Sequence, residues 1–197
     1  YNYSTEIITN STVSKNNLKN IILNKKKINL IYNPSIDLIS FKKKKINNYF
    51  LAVGRLDPQK NYELLLQAFS IFVKRYNNYD YKLYIVGHGS KKYTTKLKNL
   101  VKKYEIISLV KFYGWTKNTK NLFKEAKIYL LSSFYEGLPN SLIEAVNYEV
   151  PAITSNCSGV KDILKNNSGK ILDNYDPFKW SIAINEVLMN YQKFKKK

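Results

Sequence analysis

Two glutamates eight positions apart, Glu136 and Glu144, frame the run Ser133-Phe134-Tyr135-Glu136-Gly137-Leu138-Pro139-Asn140-Ser141-Leu142-Ile143-Glu144-Ala145. The first precedes a Gly-Leu-Pro turn. The second falls inside an apparent helix whose apolar side is Leu142, Ile143, Ala145 and Val146. Pro139 suits the first helical turn, where a missing N–H costs nothing. Backbone amides around 138–141 would then point at whatever lies in front of the turn. Such a helix start favours an anion, while the two carboxylates can accept hydrogen bonds from neutral hydroxyls. Amides for phosphate beside carboxylates for hydroxyls describe a site for a sugar nucleotide.

A second segment adds positive charge. Phe50-Leu51-Ala52-Val53-Gly54 is a short apolar run closed by glycine and reads as a buried strand ending in a turn. Arg55-Leu56-Asp57-Pro58-Gln59-Lys60 follows, and then an amphipathic helix with Leu65, Leu66, Phe69, Phe72 and Val73 inward. Arg55 and Lys60 therefore flank a strand-to-helix loop at the carboxyl end of a strand, where open α/β sheets bind ligands. Arginine offers a planar fork to phosphate oxygens and lysine a compact charge. Each such contact is worth roughly 1.5–3 kcal/mol.

The elements that must position these residues alternate as in a parallel sheet. The pattern predicts strands at 6–9, 28–32, 49–53, 82–86, 110–113, 128–132 and 150–154. Helices are predicted at 12–23, 62–76, 91–103, 119–124, 140–147 and 177–191, with a short one at 160–164. Residues 33–48, with Pro34 and four consecutive lysines, read as a loop or linker. The expectation is an α/β fold: a Rossmann-like parallel sheet with helices on both faces.

In this order and spacing, Val53-Gly54-Arg55-Leu56 with Lys60, Ile85-Val86-Gly87-His88-Gly89, Phe112-Tyr113-Gly114-Trp115, and Glu136 with Glu144 resemble glycosyltransferase family 4. These are retaining sugar-nucleotide transferases of the GT-B fold, and the Leu-Pro-Asn-Ser variant is similar to members that build capsules, O-antigens and other surface glycans. The likeness covers about 4–187. It implies that residues 49–197 form the donor nucleotide-sugar-binding half, with 1–48 the end of an acceptor-side half and linker. It further implies that Arg55 and Lys60 hold the donor diphosphate and stabilise the leaving group. Glu136 would contact the donor sugar, and the amides of Gly137, Leu138 and Asn140 the sugar and phosphates. Glu144 would hold ribose hydroxyls, and the loop at Gly114 and Trp115 would lie near the base.

The donor would be a UDP- or GDP-sugar, and the acceptor a glycan or a lipid-linked glycan. No cofactor or metal is expected, and the chain has no Asp-x-Asp motif. The family's N-terminal glycine-rich loop and acceptor-side histidine have no counterpart here. The alternative is therefore a catalytically incomplete nucleotide-sugar-binding module, or one subunit of a split transferase with a separate acceptor-domain subunit.

Composition narrows the remaining classes. Hydrophobic content of 44% argues against global disorder, and no apolar run approaches the roughly 18 residues of a membrane span. No signal-peptide pattern is present, so the expectation is a cytoplasmic protein, peripheral at most on the inner face of a membrane. The sole histidine, His88, is read as part of a tight strand exit between two glycines. The single cysteine, Cys157, is read as a small packed side chain. The net charge of +19 includes lysine clusters at 25–27, 42–45 and 195–197. Lysines are scattered over every segment, as the composition of an AT-rich genome would produce. An anionic membrane surface is the partner such charge best suits. No nucleic-acid-binding motif accompanies it.

Overall fold

Apolar runs with no polar alternation, such as Phe50-Leu51-Ala52 or Ile128-Tyr129-Leu130-Leu131, can be satisfied only between two covering layers. The computed structural model, described for residues 4–22, 27–34, 45–164 and 168–195, provides them. Six parallel strands form the main sheet: β3 (Tyr49–Val53), β4 (Lys82–Val86), β5 (Val110–Gly114), β6 (Ile128–Leu131), β7 (Ala152–Ser155) and β8 (Gly169–Leu172), in the order β5-β4-β3-β6-β7-β8. A separate two-stranded parallel sheet pairs β1 (Ile7–Thr9) with β2 (Ile28–Leu30). Helix α1 (Thr12–Lys19) connects these two.

On one face, α2 (Tyr62–Tyr76), α3 (Lys91–Lys103) and α7 (Pro177–Met189) enclose a core holding Phe50, Ala52, Phe69, Phe72, Ile85 and Leu130. Phe50 meets Phe69 and Phe72 edge-on at 5.8 and 5.4 Å. Trp180 is fully buried there, its indole N–H donating to the Asn174 carbonyl at 2.9 Å. On the other face, α4 (Lys120–Glu125), α5 (Asn140–Asn147) and α6 (Val160–Ile163) cover Leu51, Val86, Tyr129 and Ala152. A short α8 (Tyr191–Lys195) ends the described chain. No helix of the described residues is long and apolar enough to cross a membrane.

Apart from end shifts of one or two residues, the predicted elements recur with four differences. The predicted helix at 12–23 stops at Lys19, where Asn20 caps it. A strand at 169–172 joins the sheet edge, where its sequence Gly-Lys-Ile-Leu is too short to show a period. The predicted helix at 177–191 divides at Asn190, which leaves helical geometry. Pro139 sits one residue before the first turn of α5 rather than within it, with its carbonyl accepting from Leu142 at 3.0 Å. Much of the predicted linker and of the three lysine clusters lies outside the described residues.

The small N-terminal sheet is fastened to the main body by polar contacts. The Thr12 amide donates to Asp162 at 2.8 Å, and the Asn33 side-chain amide donates to Asn140 Oδ1 at 2.6 Å.

Gly87 shows why a glycine pair closes β4. Its φ is +144°, and a Cβ there would lie 1.8 Å from the Gly54 carbonyl oxygen. The backbones leaving β3 and β4 thus run in direct contact, bonded Gly54 N–H to Val86 and Leu56 N–H to His88 at 2.9 and 2.8 Å. Alanine at position 87 therefore forces these two loops apart. We expect Gly87→Ala to lower unfolding stability by about 2–4 kcal/mol, read as a shift in urea midpoint at unchanged slope.

Candidate functional site

The sheet order reverses between β3 and β6: from β3 the chain builds outward through β4 and β5, then returns to begin β6 on the other side. Loops leaving these two neighbours must diverge, which opens a crevice at their carboxyl ends. Both segments singled out by sequence enter it. Arg55 and Lys60 lie after β3, and Glu136 after β6.

The two loops are welded together. Asp57 caps a 3-10 turn at Pro58–Lys60, accepting from the Gln59 amide at 3.0 Å, and Asn61 turns the chain into α2 with a left-handed φ of 49°. From the opposite loop, the Ser132 hydroxyl lies 2.7 and 2.9 Å from the carbonyls of Lys60 and Asn61. Gln59 donates to the Tyr135 carbonyl at 2.7 Å, and the Phe134 amide donates to the Gln59 carbonyl at 2.9 Å. Lys60 Nζ then pairs with Glu136 Oε1 at 2.6 Å, their side chains only 15% and 11% exposed. Ser133 Oγ donates to that same oxygen at 2.5 Å. Sequence reading assigned Lys60 to phosphate and Glu136 to sugar as separate contacts, and did not foresee that they bind each other.

Beside this pair lies a cavity of about 280 Å³ lined by Val53, Gly54, Arg55, Val86, Gly87, His88, Trp115, Thr116 and Thr119. A Cβ on Gly54 would lie 3.0 Å from Lys60 Cε, so the lysine stem passes over the cavity wall. Arg55 is exposed and makes no hydrogen bond or ion pair with another described residue. Trp115, 62% exposed, forms part of the opposite wall. Gly114 does not line the cavity. It ends β5 with φ +71° and accepts the Gly87 amide at 2.8 Å.

Thr119 joins the cavity to the second glutamate, donating to Glu144 Oε2 at 3.0 Å. Burial raises the Glu144 pKa above the ordinary glutamate range, and the Thr119 hydrogen bond opposes that rise. Thr119 and Ser133 are the residues that sequence reading missed. Ser133 sat inside the quoted motif, but nothing marked its hydroxyl as a partner of Glu136.

Gly137, Leu138 and Asn140 form the lip beyond Glu136, apart from the cavity itself. Leu138 is a buried side chain in contact with the Gly159 turn. Asn140 begins α5, whose preceding Pro139 supplies no side-chain cap. His88 lines the cavity, and Cys157 is buried as expected, its thiol pKa raised chiefly by burial. Among the described residues no three His, Cys, Asp or Glu side chains gather as a metal-holding group.

The nearly buried pair yields a direct test. Removing one partner leaves the other charge without compensation, whereas removing both does not. Lys60→Met alone should destabilise by about 2–4 kcal/mol. The Lys60→Met, Glu136→Gln double variant should recover much of that loss in a thermodynamic cycle measured by urea unfolding.

Comparison with known proteins follows the same lines. A Campylobacter jejuni GalNAc-alpha-(1->4)-GalNAc-alpha-(1->3)-diNAcBac-PP-undecaprenol alpha-1,4-N-acetyl-D-galactosaminyltransferase is 35% identical over 181 residues, covering 87% of this chain and 47% of that protein. The capsular polysaccharide biosynthesis glycosyltransferase CapH of Staphylococcus aureus is 30% identical over 190 residues, covering 94% of this chain and 53% of CapH. The chain thus spans about half the length of these relatives. In three dimensions, Anabaena Alr3699/HepE, crystallised with UDP and glucose, superposes with a TM-score of 0.86 at 17% identity, over 98% of this chain and 56% of that one. The profile described as Glycosyl transferases group 1 matches residues 36–197. With its reversed-order parallel sheet and paired-loop crevice, the chain belongs to the group 1 glycosyl transferases, of GT-B fold.

Proposed function

We propose that this chain binds a nucleoside-diphosphate sugar, UDP- or GDP-linked, and serves as the donor half of a transferase that passes the sugar with retention to a glycan or lipid-linked acceptor. One observation carries the reading: two cations, Arg55 and Lys60, stand at the sheet's switch point, and the adjoining cavity reaches Glu144 through Thr119. A diphosphate would meet the cations and the base and ribose would enter the cavity. Glu144 would accept the ribose hydroxyls, with Trp115 beside the base. The amides of Gly137, Leu138 and Asn140, beside Glu136, would then face the sugar. The names of the two relatives support sugar transfer, and the UDP and glucose in the HepE crystal support the ligand class.

In the transfer, the bond between the sugar's anomeric carbon and the diphosphate oxygen breaks, and its electron pair stays on the diphosphate. Arg55 and Lys60 would stabilise that developing charge, the term that usually dominates such steps. The acceptor hydroxyl forms the new bond on the same face, and its proton leaves with the diphosphate. Our reading assigns no metal to this step, so a chelator should leave nucleotide binding unchanged. For phosphate to engage Lys60, the ammonium must be shared with or released from Glu136. That release would free the carboxylate for a sugar hydroxyl at the moment the donor arrives. A lipid-linked acceptor would place the work at the cytoplasmic face of a membrane.

Calorimetric titration with UDP and GDP at physiological salt tests the assignment. We expect micromolar binding of one nucleotide, weakened at least about a hundredfold by Arg55→Ala with Lys60→Ala. Equal binding by the folded double variant would remove both residues from the site.

Glu144 gives a pH signature. Only its ionised form is a pure acceptor for two hydroxyls, and burial holds its pKa above the ordinary glutamate range. Nucleotide affinity should therefore fall, as pH is lowered, earlier than an exposed glutamate would dictate. Glu144→Gln should flatten that limb, and Thr119→Val should move it to still higher pH.

A further inference from the structure

Lysine occurs in every part of the chain, yet its density is uneven. Residues 90–121 hold nine lysines and a single acid, Glu105, a net +8 in 32 residues. The other 165 residues share twenty-four basic and thirteen acidic side chains, a net +11, so positive charge is nearly four times denser in this stretch.

The fold gathers the stretch along one border. β5 is the end strand of the sheet, α3 leads into it, and α4 leads away from it on the opposite face. Tyr93, Leu97 and Val101 are buried and fix how α3 is turned. Lys91, Lys92, Lys98, Lys102 and Lys103 are exposed on the arc that this leaves outward. Lys96 is committed instead to Glu63 at 2.8 Å. The stretch's own acid is neutralised from outside it, by Lys74 at 2.8 Å. On the edge strand, Lys111 Nζ sits 4.2 Å from the Tyr113 ring centre, and Lys117 and Lys120 follow it at the surface. Two large apolar side chains bracket β5 in the open: Ile107 before it and Trp115 after it, each 62% exposed.

We infer that this border, the outer face of α3 with the edge of β5, docks on an anionic lipid surface. The charge is spread along a helix of 13 residues, about 20 Å, which suits a plane of headgroups better than a point ligand. All nine cations are lysines. Both arginines, the residues that fork onto individual phosphates, lie elsewhere at positions 55 and 75. No exposed aromatic interleaves the lysines of α3, as base stacking on a polynucleotide would want. Exposed Ile107 and Trp115 suit the boundary between headgroups and acyl chains. Of this border's lysines and exposed apolar side chains, Trp115 alone lines the nucleotide cavity, so variants of the α3 lysines probe the surface apart from the donor site.

Vesicle flotation tests it, with the 197-residue chain on phosphatidylcholine alone and on phosphatidylcholine mixed with phosphatidylglycerol. The chain should bind only the mixed vesicles and be released by salt. Changing Lys91, Lys92, Lys98 and Lys102 together to Gln should weaken binding on the order of a hundredfold. Arginine at the same four positions should keep it. A control with Lys15, Lys161, Lys179 and Lys193 changed to Gln removes equal charge elsewhere and should cost less than about tenfold. UDP or GDP affinity in the α3 variant should match the parent, which also reports its fold. Equal loss in the control would show that charge acts from the whole surface and overturn the inference. So would binding to phosphatidylcholine alone, or no binding to either vesicle. Single-stranded RNA displacing the chain from mixed vesicles at the same salt, with the same loss in the α3 variant, would reassign the border to polynucleotide.

Discussion

The ion pair between Lys60 and Glu136 is the interaction on which the arrangement of the crevice depends. At the reversal of strand order, β3 and β6 send their loops in different directions, and nothing in the sheet itself holds those loops in register. The pair bridges them at 2.6 Å, in a position with little access to water. Desolvating two charges offsets most of their attraction, so a well-packed apolar pair could supply comparable stability. What such a pair could not supply is a cation and a carboxylate held at a fixed separation in front of an exposed arginine. The hydrogen bonds from Ser132, Ser133 and Gln59 surround the pair and settle its geometry.

Legibility in the sequence followed distance along the chain. Strand β3 and helix α2 were read from local periodicity, because the apolar run and the 3.6-residue repeat are properties of consecutive residues. The glycines at 87 and 89 were read as a tight exit, and the contact of Gly87 with the Gly54 carbonyl is the physical content of that reading. The Lys60–Glu136 bond joins residues 76 positions apart and leaves no trace in either local pattern. Thr119 was similarly hidden. It looked like an ordinary helix opener, yet its hydroxyl makes no cap and goes instead to Glu144, on a different helix. Strand β8 was missed for another reason: its place comes from pairing with β7, which a four-residue edge segment cannot announce alone.

Backbone proximity, rather than side-chain packing, sets the depth of the crevice floor. Gly87 and Gly89 let the chains leaving β3 and β4 touch, with the Leu56 and Gly89 segments paired as a short bridge. Side chains there would push the two loops outward and fill the space that Arg55 and Trp115 now border. Gly87 and Gly89 thus keep side chains out of the crevice floor, while Phe50, Phe69, Phe72 and Tyr129 fill the covered faces of the sheet.

The chain's two tryptophans occupy opposite environments: Trp180, on the inner side of α7, is fully buried, and Trp115 stands in solvent at the cavity wall. Indole emission shifts with the polarity around the ring, so the blue side of the intrinsic fluorescence comes from the packed core and the red side from the crevice. One spectrum therefore separates two events that a single ring would mix. Loss of the blue component follows melting of the α7 layer, while quenching confined to the red follows occupation of the cavity in a chain that stays folded.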